Sequence, residues 1–113
     1  MSLAIRLRAE TVRTLGFASI GVAYMGIGAA MAHPIRIFHL QNLTDALLTF
    51  SFDGINDHLV LPGNAFILLD VTSNKTITTG FFLSEGDRIY VKQNGVPTTG
   101  AVYLSVFYGQ EVA

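Results

Sequence analysis

From His33 to the end of the 113-residue chain, turn-forming Gly, Pro, Asn and Asp return about every ten residues, and the segments between them alternate apolar with polar side chains. A period of two is what an extended strand imposes, because successive side chains point to opposite faces. Pro34 to Leu40 sets Ile35, Ile37 and His39 against Arg36, Phe38 and Leu40. A proline is tolerated there, since the first strand residue need not donate to the ladder. Ala46 to Phe52, His58 to Leu61, Ala65 to Val71 and Phe81 to Leu83 follow as strands, and AFILLDV at 65–71, the most apolar run, reads as a buried one. Ser84 to Gly109 closes the chain and reads as a β-hairpin, with Ile89 to Lys92 and Val102 to Tyr108 as its strands and Gln93 to Gly100 as its turn. With a further strand over Gly16 to Tyr24, about eight strands result, and the expected class is all-β, an antiparallel β-sandwich or jelly roll.

The first 32 residues admit several readings. Residues 1–14 read as an extended N-terminal arm and 15–113 as the β-sandwich domain. In extended form Leu3, Ile5 and Leu7 lie opposite Ala4, Arg6 and Arg8, a pattern that suits an arm lying on a neighbour. A short helix is the alternative, and one of this length also needs a partner surface. Residues 15–32 further match a secretory signal peptide, with Arg6, Arg8 and Arg13 ahead of an apolar stretch and Ala30-Met31-Ala32 before a cut at His33. Glu10 in the basic region, and Gly16, Gly21, Gly26 and Gly28 in the apolar one, argue against cleavage. They favour a strand followed by a glycine-rich linker. The run is also too short and too glycine-rich for a transmembrane helix.

Charged residues make up only 13% of the chain against 50% hydrophobic ones, about half the charge usual for a soluble domain. So sparse a charged surface points to burial against other protein, as in a homo-oligomer or assembly subunit. A net charge of −1 gives no basis for binding nucleic acid through phosphate neutralisation. Cysteine is absent, which leaves no disulfide framework and no thiolate chemistry.

Candidate chemistry is thin. His33, His39 and His58 have no metal-ligand spacing, and His39 reads as a partly buried, hydrogen-bonded strand residue. Asp53, Asn56 and Asp57 around Gly54 could offer oxygens to Ca²⁺, but the bidentate Glu of a calcium loop is missing and a turn explains them. Asp70 in an apolar strand is expected to face outward or cap a turn. Ser19, Ser51, Ser73, Ser84 and Ser105 lie in no nucleophile motif. Asn42-Leu43-Thr44 and Asn74-Lys75-Thr76 fit the glycosylation sequon. Aromatics such as Phe50, Phe52, Phe66, Tyr90 and Tyr103 could line a sugar site, although core packing and subunit contact are commoner fates. The expectation is no enzyme activity and no catalytic, metal or cofactor site.

Gln41-Asn42-Leu43-Thr44-Asp45, Phe52-Asp53-Gly54, Ile89-Tyr90-Val91-Lys92 and Thr99-Gly100-Ala101-Val102-Tyr103, set within residues 15–109, resemble small β-sandwich virion structural proteins of short-tailed bacteriophages. The resemblance implies a multi-copy virion component, assembled in the host cytoplasm, without enzymatic activity and without a membrane partner. It implies either a tail adaptor anchoring fibres or spikes to the portal–tail ring, or a decoration protein clamping major capsid protein subunits. Leu3, Ile5, Arg6, Leu7 and Arg8 are then the expected arm contacts, and deleting residues 2–14 is expected to spare the fold and abolish incorporation. A secreted bacterial domain binding sugar or a cell surface is the alternative through the signal-peptide reading. A cupin-type enzyme is a third, and it needs clustered histidines.

Overall fold

The computed structural model describes residues 5–71 and 83–111, and these form an all-β sandwich of two antiparallel sheets. In chain order the strands are β1 (Ile5–Ala9), β2 (Arg13–Gly16), β3 (Met25–Gly26), β4 (Ile37–Asn42), β5 (Leu48–Ser51), β6 (Leu59–Leu61), β7 (Ala65–Asp70), β8 (Tyr90–Gln93) and β9 (Ala101–Glu111). The first sheet runs β1–β9–β4–β7, with β2 also on β9, and the second runs β3–β8–β5–β6. Alternation places Phe38 and Leu40 of β4, and Val102, Leu104 and Val106 of β9, on the inner face of the first sheet. They meet Leu48 and Phe50 of β5 and Val91 of β8 in one core.

The closing hairpin does not form. β8 and β9 are consecutive but lie in different sheets, β8 between β3 and β5 and β9 between β1/β2 and β4. Residues 94–100 are a corner between the layers, not a turn within one. The Asn94 and Gly95 N–H groups donate to the Leu47 carbonyl, and the Thr98 N–H donates to the Asp45 carboxylate at 2.8 Å. Such a span of Gly, Pro and Thr is too long for a tight hairpin, and the β4–β5 turn supplies the acceptors that hold it open.

The N-terminal segment differs from expectation as well. β1 and β2 both pair antiparallel with β9, Ile5↔Glu111 through Ala9↔Phe107 and Arg13↔Leu104 through Gly16↔Ala101. The arm residues Ile5, Arg6, Leu7 and Arg8 therefore extend the chain's own sheet, while Leu3 lies outside the described residues. Between the two pairings Glu10, Thr11 and Val12 face only Ser105 and Val106, a β-bulge. The strand expected over Gly16 to Tyr24 stops at Gly16 and gives way to a 3₁₀ turn at Phe17–Ser19. Ile20, Ile27 and Met31 beyond it are core residues, so a cut before His33 would remove three strands and part of the core.

The third difference concerns β7. The run at 65–71 was expected to be buried, yet β7 is the edge of its sheet, with Phe66 64% and Leu68 57% exposed. Within the run, Ala65, Ile67 and Val71 pack against the core. An apolar run cannot reveal by composition whether both of its faces are covered. Of the strand expected at 81–83, Phe81 and Phe82 lie outside the described residues, and Leu83 bridges to Ile35.

Candidate interaction surface

The outer face of the first sheet follows from its registers. Phe66 of β7 stands beside Gln41 of β4, which stands beside Tyr103 of β9. The next row holds Leu68, His39 and Ser105, and the next Asp70, Ile37 and Phe107. An antiparallel sheet with one side in water normally turns polar side chains outward. Here six of nine outward positions are apolar or aromatic, His39 included, and the His39 ring meets Phe66 edge to face at 5.2 Å. His39 is thus part of this surface and half-buried by it. Asp70 faces outward as expected.

At the far side of the same sheet β9 outruns its neighbour. β4 ends its pairing at Ile37↔Phe107, so Tyr108 to Glu111 pair only with β1. The result is a two-stranded ribbon projecting from the sandwich, with Arg6, Leu7 and Arg8 exposed along it. A lone ribbon of two strands is marginal in water without support at its base.

That support is a polar clamp on the bulge. The Glu10 carboxylate accepts from Arg13 Nη2 at 2.6 Å, from the Ala32 N–H at 3.1 Å, and lies 2.8 Å from His33 Nδ1. Arg13 also donates to the Ala29 carbonyl at 2.7 Å and the Ala30 carbonyl at 3.0 Å. Glu10 and Arg13 side chains are only 7% and 8% exposed. The His33 ring stacks flat on Tyr108, with centroids 3.6 Å apart. Gly28, with φ +67, is needed here, because a Cβ would sit 2.8 Å from the Arg13 stem. Burial opposes ionisation of Glu10, but the hydrogen bonds from Arg13, His33 and Ala32 outweigh it and hold its carboxyl below the usual value. A cleft of about 580 Å³ opens beside the clamp, lined by Ala9, Thr11, Val12, Ala30, His33 and Tyr108 among others.

The remaining candidates resolve into structure. Asp53 accepts from the N–H groups of Asn56 at 2.9 Å and Ile55 at 2.8 Å, from the Asn56 amide at 2.9 Å and from the Ser51 hydroxyl at 2.8 Å, which holds its carboxyl far below the usual range. Its oxygens serve the turn rather than a cation. Asp57 accepts from the Tyr24 hydroxyl and pairs with Lys92 at 3.0 Å; burial and then Asp57 push Tyr24 up to about 12. His58 accepts the Phe52 N–H at 3.0 Å and stacks on the Phe52 ring. Among the described residues no three His, Asp or Glu side chains gather as a metal set. Asn42 of the first sequon is fully buried with its amide on the Ala46 and Leu61 carbonyls, both at 2.9 Å, out of reach of glycosylation; Asn74 lies outside the described residues. Sequence reasoning missed the Glu10–Arg13 clamp, whose only signal was an acid and a base three apart in an otherwise apolar region.

No family model matches the chain, and no curated protein does. Among solved structures, a chain from Bacillus endospore appendages, which form a family of disulfide-linked pili, matches with a TM-score of 0.51 and 11% identity, covering 95% of this chain and 89% of that one. At this identity the likeness is one of fold, an all-β sandwich.

Proposed function

We propose that the protein is a structural subunit without enzymatic activity, built in many copies into a larger particle, and that the outer face and β7 edge of the first sheet are buried there against other protein. The observation that carries this is the pairing of Phe66 and Leu68, 64% and 57% exposed, with an open edge strand in a chain that has few charges. Exposed edges and apolar patches are liabilities for a free monomer and assets for a subunit. The projecting ribbon, with Arg6, Leu7 and Arg8, is a second contact element, in keeping with the expected role of the N-terminal segment.

The resemblance to phage virion proteins favours a place on the tail, as an adaptor between fibres or spikes and the portal–tail ring, with capsid decoration as the alternative. A second reading, a subunit of a proteinaceous surface fibre, is favoured by the fold likeness to the endospore appendage chain. With no cysteine this chain has no disulfide cross-link of its own, so its assembly in either setting rests on non-covalent contact.

Light scattering on the purified full chain, alone and with lysate-derived particles, tests the proposal. Phe66→Asp with Leu68→Lys is expected to keep the β circular-dichroism spectrum and to lose self-association and incorporation. A wild-type chain that stays monomeric and unincorporated at all concentrations, or a double variant that assembles as wild type, overturns it.

A further inference from the structure

The Glu10 clamp is the one buried ionic cluster among the described residues that serves neither core nor turn. It joins three segments: Glu10 from the bulge, Arg13 from β2, and the 28–33 loop through Ala29, Ala30, Ala32 and His33. β1 reaches the sandwich only through this bulge and its pairing with β9. We propose that the clamp is an acid-releasable latch: the ionised Glu10 carboxylate fixes the base of the β1–β9 ribbon, and its protonation frees the ribbon while the sandwich stays folded.

The charge inventory makes Glu10 the deciding group. Facing it are Arg13 from β2 and His33 from the loop. Tyr108 of β9 lies behind the His33 ring, Arg8 of β1 pairs opposite Tyr108, and Arg88 ahead of β8 grips the Gly28 carbonyl at 2.6 Å. Arg13 offers the carboxylate only donors, and His33 Nδ1 lies 2.8 Å from it. Only the carboxylate loses acceptor capacity on protonation, and its three donors are then left facing a neutral acid. Arg13 remains held by the Ala29 and Ala30 carbonyls, so the loop stays on β2 while the bulge is released. Since folding lowers the Glu10 value, the latch is fully closed above the free carboxylate value near 4.5 and opens as pH falls through the folded one.

The latch gives the ribbon contact of the proposed assembly a pH dependence and so rests on that reading for its use, but not for its existence. Hydrogen exchange on the full chain separates the two. Protection factors corrected for intrinsic exchange are measured between about pH 3 and pH 7 for the amides of 6–9 and 108–110, with Val91 and Leu104 as sandwich reporters. The wild type is expected to lose at least about tenfold more protection in acid at the ribbon than at the reporters, in line with the loss of hydrogen bonds to a charged group. Glu10→Gln is expected to show the lowered ribbon protection already at neutral pH and no further fall in acid. Ribbon protection that is flat with pH, or that falls only together with the reporters, overturns the latch. Assembly that fails while this pattern holds overturns only the reading of the ribbon as a contact.

Discussion

Gly100→Ala is expected to unfold most of the protein, whereas Gly86→Ala, which removes a glycine of similar backbone geometry, leaves it folded with a loss of about 1–2 kcal/mol. Both glycines are left-handed, with φ +87 and +93. Around Gly86 a Cβ meets nothing within 4 Å, so only the backbone preference is lost. At Gly100 the same atom would lie 2.0 Å from the Leu43 carbonyl oxygen and 3.0 Å from the Thr44 Cα. These are backbone atoms, and they cannot swing aside as a side chain can. Leu43 donates its N–H to the Ala101 carbonyl at 3.0 Å, and Phe17 donates to the Gly100 carbonyl at 3.0 Å. The corner that carries the chain from the second sheet into β9 is thus pinned from two directions. Relief of the overlap would separate the β4–β5 turn from the start of β9, at a cost expected in the exceptional range above about 4 kcal/mol. Urea denaturation of the two variants is the measurement, and similar losses for both would refute this account of the corner.

The same corner shows how far the sequence could be read. Turn chemistry at 93–100 was legible, because Asn, Gly and Pro restrict local backbone wherever they occur. Its partner was not legible, because choosing between pairing with β8 and crossing to the other layer depends on Asp45 and Leu47, about fifty residues away. Alternation likewise located β4, where Phe38, Leu40 and Asn42 are buried and Ile37, His39 and Gln41 are not. It could not show that β7 stands at an edge, since Ala65 to Asp70 has the composition of a central strand. The reading of residues 2–14 as an arm whose loss spares the fold did not foresee, for a related reason, that Ile5–Ala9 and Arg13–Gly16 pair with the chain's own β9. Deleting them would strip β1, the first half of β2 and both ionic partners of the clamp, so loss of stability is now expected along with any loss of assembly.

Asn42→Asp is expected to be among the most damaging single-residue changes and to reverse the usual acid sensitivity of the protein. Asn42 is fully buried at the end of β4. Its Nδ2 lies 2.9 Å from both the Ala46 and Leu61 carbonyls and 3.1 Å from that of Pro62, while its Oδ1 accepts from the Thr44 N–H at 3.1 Å and hydroxyl at 2.6 Å. One side chain thereby ties the β4–β5 turn to the end of β6, next to the Leu43 and Thr44 backbone that Gly100 packs against. Asn42→Ala would leave those buried carbonyls with one donor fewer, remove the acceptor of the Thr44 N–H, and leave the Thr44 hydroxyl only the longer contact to the Ala46 carbonyl at 3.3 Å, at about 2–4 kcal/mol. An aspartate keeps the shape but aims a second oxygen at three carbonyl oxygens, so its ionised form is repelled in a fully buried site. Its folded-state value would be raised, the folded protein would bind the proton more tightly than the unfolded chain, and stability would fall as pH rises from the ordinary aspartate value toward neutrality. In the wild type the lowered Glu10 value has the opposite sign, with stability lost as pH falls below about 4.5. Denaturation midpoints between pH 3.5 and pH 7 should therefore decline with rising pH in the variant and climb in the wild type. Parallel profiles would mean that Asn42 does not hold the turn by donating to those carbonyls.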